Sequence, residues 1–223
     1  MNKIKSKGDV EKLIDEIGFL PFFKSEIPGF SIEEHIAPRF WFSGEIGAWE
    51  WKGEIIRDGY IYGKIFGKKS GFVTVKWYKQ LANWRRNGYD FDSRNDDGLV
   101  PFQDLHLYNS LVSFNRILSK GLKSVAGFDK AGGRKGFDTI ITRLQMQCYV
   151  CIADFPYLTD KHGNEYGWGI TEYSTPEYLY GKAFSKNLYK IEPEESREKI
   201  FLHLSKIFPN ASEAAIYKMI GQK

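Results

Sequence analysis

The stretch over residues 134–173, RKGFDTIITRLQMQCYVCIADFPYLTDKHGNEYGWGITEY, constrains the fold most, because its apolar period changes once, from helical to extended. Phe137, Ile140, Ile141, Leu144 and Cys148 recur at the spacing of one helix face. The other face carries Lys135, Thr139, Thr142, Arg143 and Met146, and Gly132 and Gly133 block any helix upstream. Over 149–152 aromatic and β-branched residues take over, which predicts a strand, and a second strand is expected over 166–173. The polar cluster at 159–164 holds Gly163 where a tight turn needs positive φ, so a hairpin with a charged tip should project into solvent.

Upstream, Leu105, Tyr108, Leu111, Val112 and Ile117 predict a helix over about residues 103–116. Ser119 is the expected N-cap of a short second helix, SKGLKSVAG, that stops at Gly127. Two short helices, a longer third one and a hairpin follow the order of a winged helix-turn-helix. A small α+β core piece with no nucleic-acid role would carry the same elements. The expected class is therefore α+β, with at least one winged unit at about 103–175 packed on an aromatic-rich N-terminal region.

In that N-terminal region, residues 9–17 predict a helix with Val10, Leu13, Ile14 and Ile17 inward, Asp9 as cap and Gly18 as stop. Residues 19–42 hold three prolines and many aromatics; they read as an extended segment too irregular for a sheet, with a turn of helix at SIEEH. Residues 49–80 read as successive strands, with an Asp58-Gly59 hairpin turn and a second turn at GKKSG. A helix from about 78 should end at Gly88, and 89–99 reads as a loop. Helices are expected after Thr175-Pro176, over 193–207 with Ile200, Phe201, Leu204 and Ile207 on one face, and after Asn210 or Ser212. No internal repeat is visible. Three regions result: 1–100, in one reading a degenerate winged unit; 101–180, the winged unit; and 181–223, a helical segment packing on the body.

A chain of 223 residues can form one large domain or two small ones, and 42% hydrophobic with 27% charged residues is an ordinary globular composition. No apolar run approaches the roughly 20 residues of a membrane helix. The basic start has no apolar core and no cleavage signal, so a cytoplasmic location is expected. Cys148 and Cys151 form a C-x-x-C, but the four histidines show no matching spacing, so the thiols read as core residues and no metal or cofactor is expected.

The positive charge is concentrated. Residues 51–90 hold nine Lys or Arg against three acids, and residues 116–145 hold seven against two. Such blocks, separated by acidic segments, fit a polyanion footprint, and duplex DNA is the expected partner. Lys120, Lys123, Arg134, Lys135 and Arg143 are candidates for phosphate contacts, and Thr139 and Thr142 for base edges or sugars. Lys161 and His162 on the hairpin tip could reach an adjacent groove. In the first block, rings including Trp49, Trp51, Tyr62 and Trp84 interleave with cations, as on surfaces that stack bases. Glu50, Trp51, Lys52, Arg85, Arg86, Asp90 and Asp92 are the candidate base pocket, since cleaving an N-glycosidic bond needs a carboxylate or amide to position water beside an aromatic wall. No P-loop, G-x-G-x-x-G, H-E-x-x-H or G-x-S-x-G pattern is present.

Several segments, IGFLPFFKSEIPGFSIEEH, WEWKGEIIRDGYIYGK, NWRRNGYDFD, GFDTIITRLQMQCYVCIADF and YGWGITEYSTPE, together resemble the AlkZ-related family of bacterial proteins. The resemblance covers most of the chain. It implies a distant likeness to the AlkZ DNA glycosylases, which are built from tandem winged-helix units and excise alkylated bases without a metal or cofactor. Those enzymes carry a glutamine, an apolar residue and then glutamine or aspartate early in the chain. Here Gln145-Met146-Gln147 has the letters but stands late, in the predicted third helix, and residues 18–21 offer no glutamine, so no catalytic role carries over to either glutamine. The resemblance thus implies a DNA-binding repair protein; a non-enzymatic regulator or protein-interaction module is the alternative. A glycosylase of this kind is expected to be a monomer and a regulator a homodimer.

Overall fold

The computed structural model describes residues 4–41 and 46–221; Phe42, the last residue of the expected extended segment, lies outside them. The chain opens with α1 (Lys7–Ile17), β1 (Phe19–Pro21), α2 (Ile32–His35), α3 (Ala48–Arg57), β2 (Ile61–Phe66) and β3 (Lys69–Val73). Helices α4 (Val75–Arg86) and α5 (Phe91–Asp96) connect to a second series. That series is α6 (Phe102–Val112), β4 (Arg116–Leu118), α7 (Ser119–Val125), α8 (Phe137–Met146), β5 (Cys151–Asp154), a ribbon of β6 (Leu158–Thr159) and β7 (Glu165–Tyr166), and β8 (Glu172–Ser174). The chain closes with α9 (Pro176–Ser185), α10 (Pro193–Ile207) and α11 (Glu213–Ile220).

The two series repeat one another. Each runs helix, strand, helix, helix, strand, strand, the β6–β7 ribbon being extra in the second, and in each series the first strand pairs with the third and the third with the second, all antiparallel. The two second strands, β2 and β5, then pair with each other, giving one six-stranded sheet in the order β1-β3-β2-β5-β8-β4. A single register row crosses all six strands: Leu20, Phe72, Tyr62, Ile152, Tyr173 and Ile117. The helices cross over too, α3 packing on β5 and α8 on β2. The sequence hides this repeat because packing needs only apolar residues of suitable size at matching positions.

Several sequence expectations are corrected. The Asp58-Gly59 hairpin is absent: Ala48, Trp51, Ile55 and Ile56 are buried at helical spacing, and Asp58-Gly59 ends α3, with Gly59 at φ 105°. The second expected turn, at GKKSG, does close a hairpin: Gly67-Lys68 joins β2 to β3, and both residues take positive φ. Residues 19–21 are a sheet strand despite their proline, which sits on the edge strand. The stretch after Tyr89 is not a loop, because the Asp90 carboxylate accepts the Ser93 N–H at 2.8 Å and starts α5. Helix α6 stops at Val112, and Ile117 belongs to β4. Ser119 is the first helical residue of α7 and makes no cap bond. Ser6, not Asp9, caps α1, while the Asp9 side chain accepts the Lys5 N–H at 2.9 Å. The long strand expected at 166–173 is divided, and only 172–174 joins the main sheet.

The last helices pack on this frame, α10 against α4 and α11. Two arginines tie them in. Arg85 donates from Nε to Ile220 O at 2.8 Å, from Nη2 to Met219 O at 3.1 Å and from Nη1 to Met146 O at 3.1 Å, so one guanidinium satisfies the end carbonyls of α11 and α8. Arg86 reaches Cys148 O, Glu177 and Tyr189. No helix among the described residues is long and apolar enough to cross a membrane.

Candidate functional site

Helix α3 turns two faces to different surroundings. Trp51, Ile55 and Ile56 enter the core, while Trp49, Lys52, Gly53 and Arg57, spaced i, i+3, i+4 and i+8, line a cleft. The far wall comes from the second series: Phe155 and Tyr157 follow β5, and Glu165 and Trp168 lie on and after the β7 strand. This cleft measures about 820 Å³. A smaller one of about 320 Å³ lies over the sheet, reaching Tyr62, Lys64, Lys123 and Phe137, and the two share Trp49, Lys52 and Phe155. Glycine at position 53 keeps the wall open, since a Cβ there would meet Asp154 Oδ1 at 3.0 Å and Arg57 Nη1 at 3.2 Å.

Lys52 sits where the clefts meet. Its Nζ lies 3.9 Å from the ring centroid of Trp49 and 4.4 Å from that of Phe155. Burial pushes the Lys52 ammonium down to about 8, and the charge of Glu50 opposes part of that shift. Burial raises the Tyr157 phenol, with Glu50 and Glu165 adding to it. Arg57 donates to Asp154 at 2.7 Å, Lys123 stands 3.6 Å from Asp138, and Arg116 meets Glu172 at 2.5 Å, so much of the charge around the cleft is paired. Trp168, 80% exposed, is the most open large ring among the described residues and stands at the rim.

The predicted base-pocket residues do not gather. Glu50 and Lys52 reach the cleft, and one Glu50 oxygen accepts the Gly47 N–H at 2.9 Å. Trp51 is 6% exposed and packs on Phe40, because neighbours on a helix point about 100° apart. Arg85 and Arg86 are buried on backbone carbonyls, and Asp90 and Asp92 lie at the start of α5, so the basic block around 85–86 is not a surface at all. Among the DNA-contact candidates, Lys120, Lys135 and Thr139 are exposed, Thr142 is half-buried, and Arg134 stacks on Phe102 at 5.5 Å. Arg143 makes a bidentate pair with buried Asp104, and Lys123 is shared between Asp138 and the face of Phe137. Lys161 and His162 sit exposed on the ribbon tip, whose turn is closed by the Asp160 carboxylate accepting from His162 and Asn164 N–H groups. Gln145 is fully buried: Oε1 accepts the Lys64 N–H at 2.9 Å and Nε2 donates to Ile141 O at 3.1 Å. Phe155, Tyr157 and Trp168 escaped the sequence analysis; they stand about a hundred residues from α3, and the β2–β5 pairing with the packing of α3 on β5 brings them there.

Both cysteines are free and buried. Among the described residues no group of three or more His, Cys, Asp or Glu side chains could hold a metal ion.

Fold and cleft together define a mixed α/β protein in which two helix–sheet units share one antiparallel sheet and enclose a cleft at their junction. The chain belongs to the AlkZ-related family, whose model matches residues 4–221. Its fold is similar to that of Streptomyces sahachiroi DNA glycosylase AlkZ, with a TM-score of 0.50 and 10% sequence identity over 91% of this chain and 52% of that one. The chain thus spans about half the length of that glycosylase. No curated protein matches the sequence.

Proposed function

We propose that the chain is a DNA-binding repair protein of two winged-helix units that receives one damaged nucleotide in the cleft between α3 and the second unit. The order of helix, strand, two helices and two strands in each unit supports the winged-helix assignment, with the β6–β7 ribbon as the wing of the second. The observation that carries the proposal is the cleft itself. Its volume is in the range of a small-molecule site, and its Trp49 and Phe155 rings offer stacking surface for a base turned out of the duplex. Lys120, Lys135 and Thr139 supply backbone contacts, and Lys161 and His162 extend them along the ribbon. The ligand class in this reading is an alkylated base, with Glu50 as the carboxylate that positions water.

A second reading, a non-enzymatic winged-helix regulator, is favoured by the burial of Gln145 and by the capping role of Asp90, which keep both out of a cleft whose carboxylates are Glu50, Glu54 and Glu165. Binding to intact, abasic and N7-methylated duplexes at two salt concentrations, followed by alkali treatment, separates the readings. Preference for the modified duplexes with alkali-revealed breaks is the expected result. Equal binding to all three without breaks, from a protein of dimeric solution mass, establishes the regulator, and no binding at low salt overturns both.

A further inference from the structure

Lys52 differs from Lys7, Lys123 and Lys218, each of which meets a carboxylate. Among the described residues no carboxylate, carbonyl or hydroxyl pairs with its Nζ; its neighbours are the two ring faces. One ring comes from α3 and the other from the segment after β5, so the amine is held by both units at the neck joining the clefts. An amine free of acceptors and partly withdrawn from water has the setting of a nucleophilic lysine. Burial lowers its proton affinity, while Glu50 and the ring faces favour the ammonium and keep the amine in reserve rather than permanently neutral.

Unmodified bases offer an amine no aldehyde. A deoxyribose that has lost its base does, because the ring-opened form exposes C1′. We infer that Lys52 is a carbonyl nucleophile that forms an imine with the C1′ aldehyde of an abasic deoxyribose held in the cleft. The neutral Nζ adds to C1′ as the C=O π pair moves to oxygen; the two N–H hydrogens then leave with that oxygen as water, and C=N remains. Nothing is oxidised or reduced, and hydrolysis reverses the step. The inference rests on the DNA reading above and extends it from the damaged base to the sugar left behind.

The test is reductive trapping. The full chain, incubated with a duplex bearing one abasic site and cyanoborohydride, is expected to give a covalent protein–DNA band whose peptide map places the link at Lys52. Lys52→Arg, which keeps the charge between the rings, should lower that band by at least about tenfold when both proteins are compared at concentrations that saturate the abasic duplex. A chain that binds the abasic duplex but gives no adduct, or one whose adduct persists in Lys52→Arg, overturns the inference and leaves the DNA reading intact. Failure to bind any duplex overturns the DNA reading and the abasic substrate with it. A readout independent of DNA is methylation by formaldehyde and cyanoborohydride at pH 7. Lys52 reacting ahead of exposed Lys120 and Lys135 supports the nucleophile, and Lys52 reacting after them removes it even if DNA binds.

Discussion

Arg86 is 1% exposed, yet it carries a charge at the centre of the molecule. Burial works against that charge, but Glu177 and Tyr189 more than offset it, so the guanidinium stands above its ordinary pKa. Its Nη1 donates to Glu177 at 2.6 Å and to the Tyr189 hydroxyl at 3.0 Å, and Nη2 meets the carbonyl of Cys148, a residue itself at φ 64°. Arg86→Met removes a partner from three groups at once and should cost about 3–5 kcal/mol, read as a lower urea midpoint, whereas the same change at exposed Lys120 should cost almost nothing. The sequence conceals this role, because Tyr78, Leu81, Ala82 and Arg85 form the buried stripe of α4 and a guanidinium in such a stripe reads as a surface charge. His203 gives a pH signature. It stacks on Trp77 at 4.0 Å, its Nε2 lies 2.8 Å from Ile17 O, and burial lowers its pKa below the ordinary 6.5. The unfolded chain then binds the proton more tightly, so this contribution is whole above about pH 6.5 and fades as pH falls through the lower, folded value. Melting temperatures from pH 7.5 down to 5.5 should fall less steeply for His203→Gln than for the natural chain.

At the scale of an element, α8 is half structural. Its inward stripe was legible from the 3.6 period, and Phe137, Ile140, Ile141 and Leu144 are buried as that period requires. What the period could not show is that Gln145 crosses to the first unit and that Arg143 is fixed by Asp104 of α6. Short strands were the least legible elements, since three residues are too few to display alternation; β1 and β4 are recognisable only through their partners. The same limit makes an Asp-Gly pair look like a hairpin although the helix before it buries Ala48, Trp51, Gly53, Ile55 and Ile56. A test of DNA contact by α7 and the segment leading into α8 must therefore spare Arg143. Lys120→Glu with Lys135→Glu changes two exposed ammonium groups, and should weaken duplex binding and flatten its salt dependence by about two phosphate contacts while the melting temperature holds. Arg143→Glu instead sets two carboxylates together beside α6 and should unfold the chain at lower urea, whatever the DNA does. Unchanged affinity in a folded Lys120→Glu, Lys135→Glu protein would take α7 and the segment leading into α8 out of the interface.

At the scale of the molecule, the two repeats share their sheet and exchange helices, so neither closes its core alone. Gln145 of α8 satisfies Lys64 of β2, Arg57 of α3 holds Asp154 of β5, and Arg85 of α4 draws together the ends of α8 and α11. Such reciprocal contacts predict one cooperative unfolding event rather than two. The tryptophans make this measurable. Of the six, Trp41, Trp49 and Trp51 belong to the first unit, Trp77 and Trp84 to α4, and the sixth, Trp168, is exposed, so a fluorescence change on unfolding reports chiefly the first unit and the packing of α4. Far-ultraviolet circular dichroism reports helices of both. The two urea curves should coincide. Gln145→Leu sharpens the comparison, because the substitution lies in the second unit and leaves the Lys64 N–H of the first without its acceptor, at a cost of about 1–3 kcal/mol. If the sheet transmits stability across the Tyr62–Ile152 pair, that variant shifts the fluorescence midpoint and the dichroism midpoint by the same amount. A fluorescence curve that stays in place while the dichroism curve moves would mean that the units fold independently, and the cleft between them would then open and close as two bodies rather than stand as one built site.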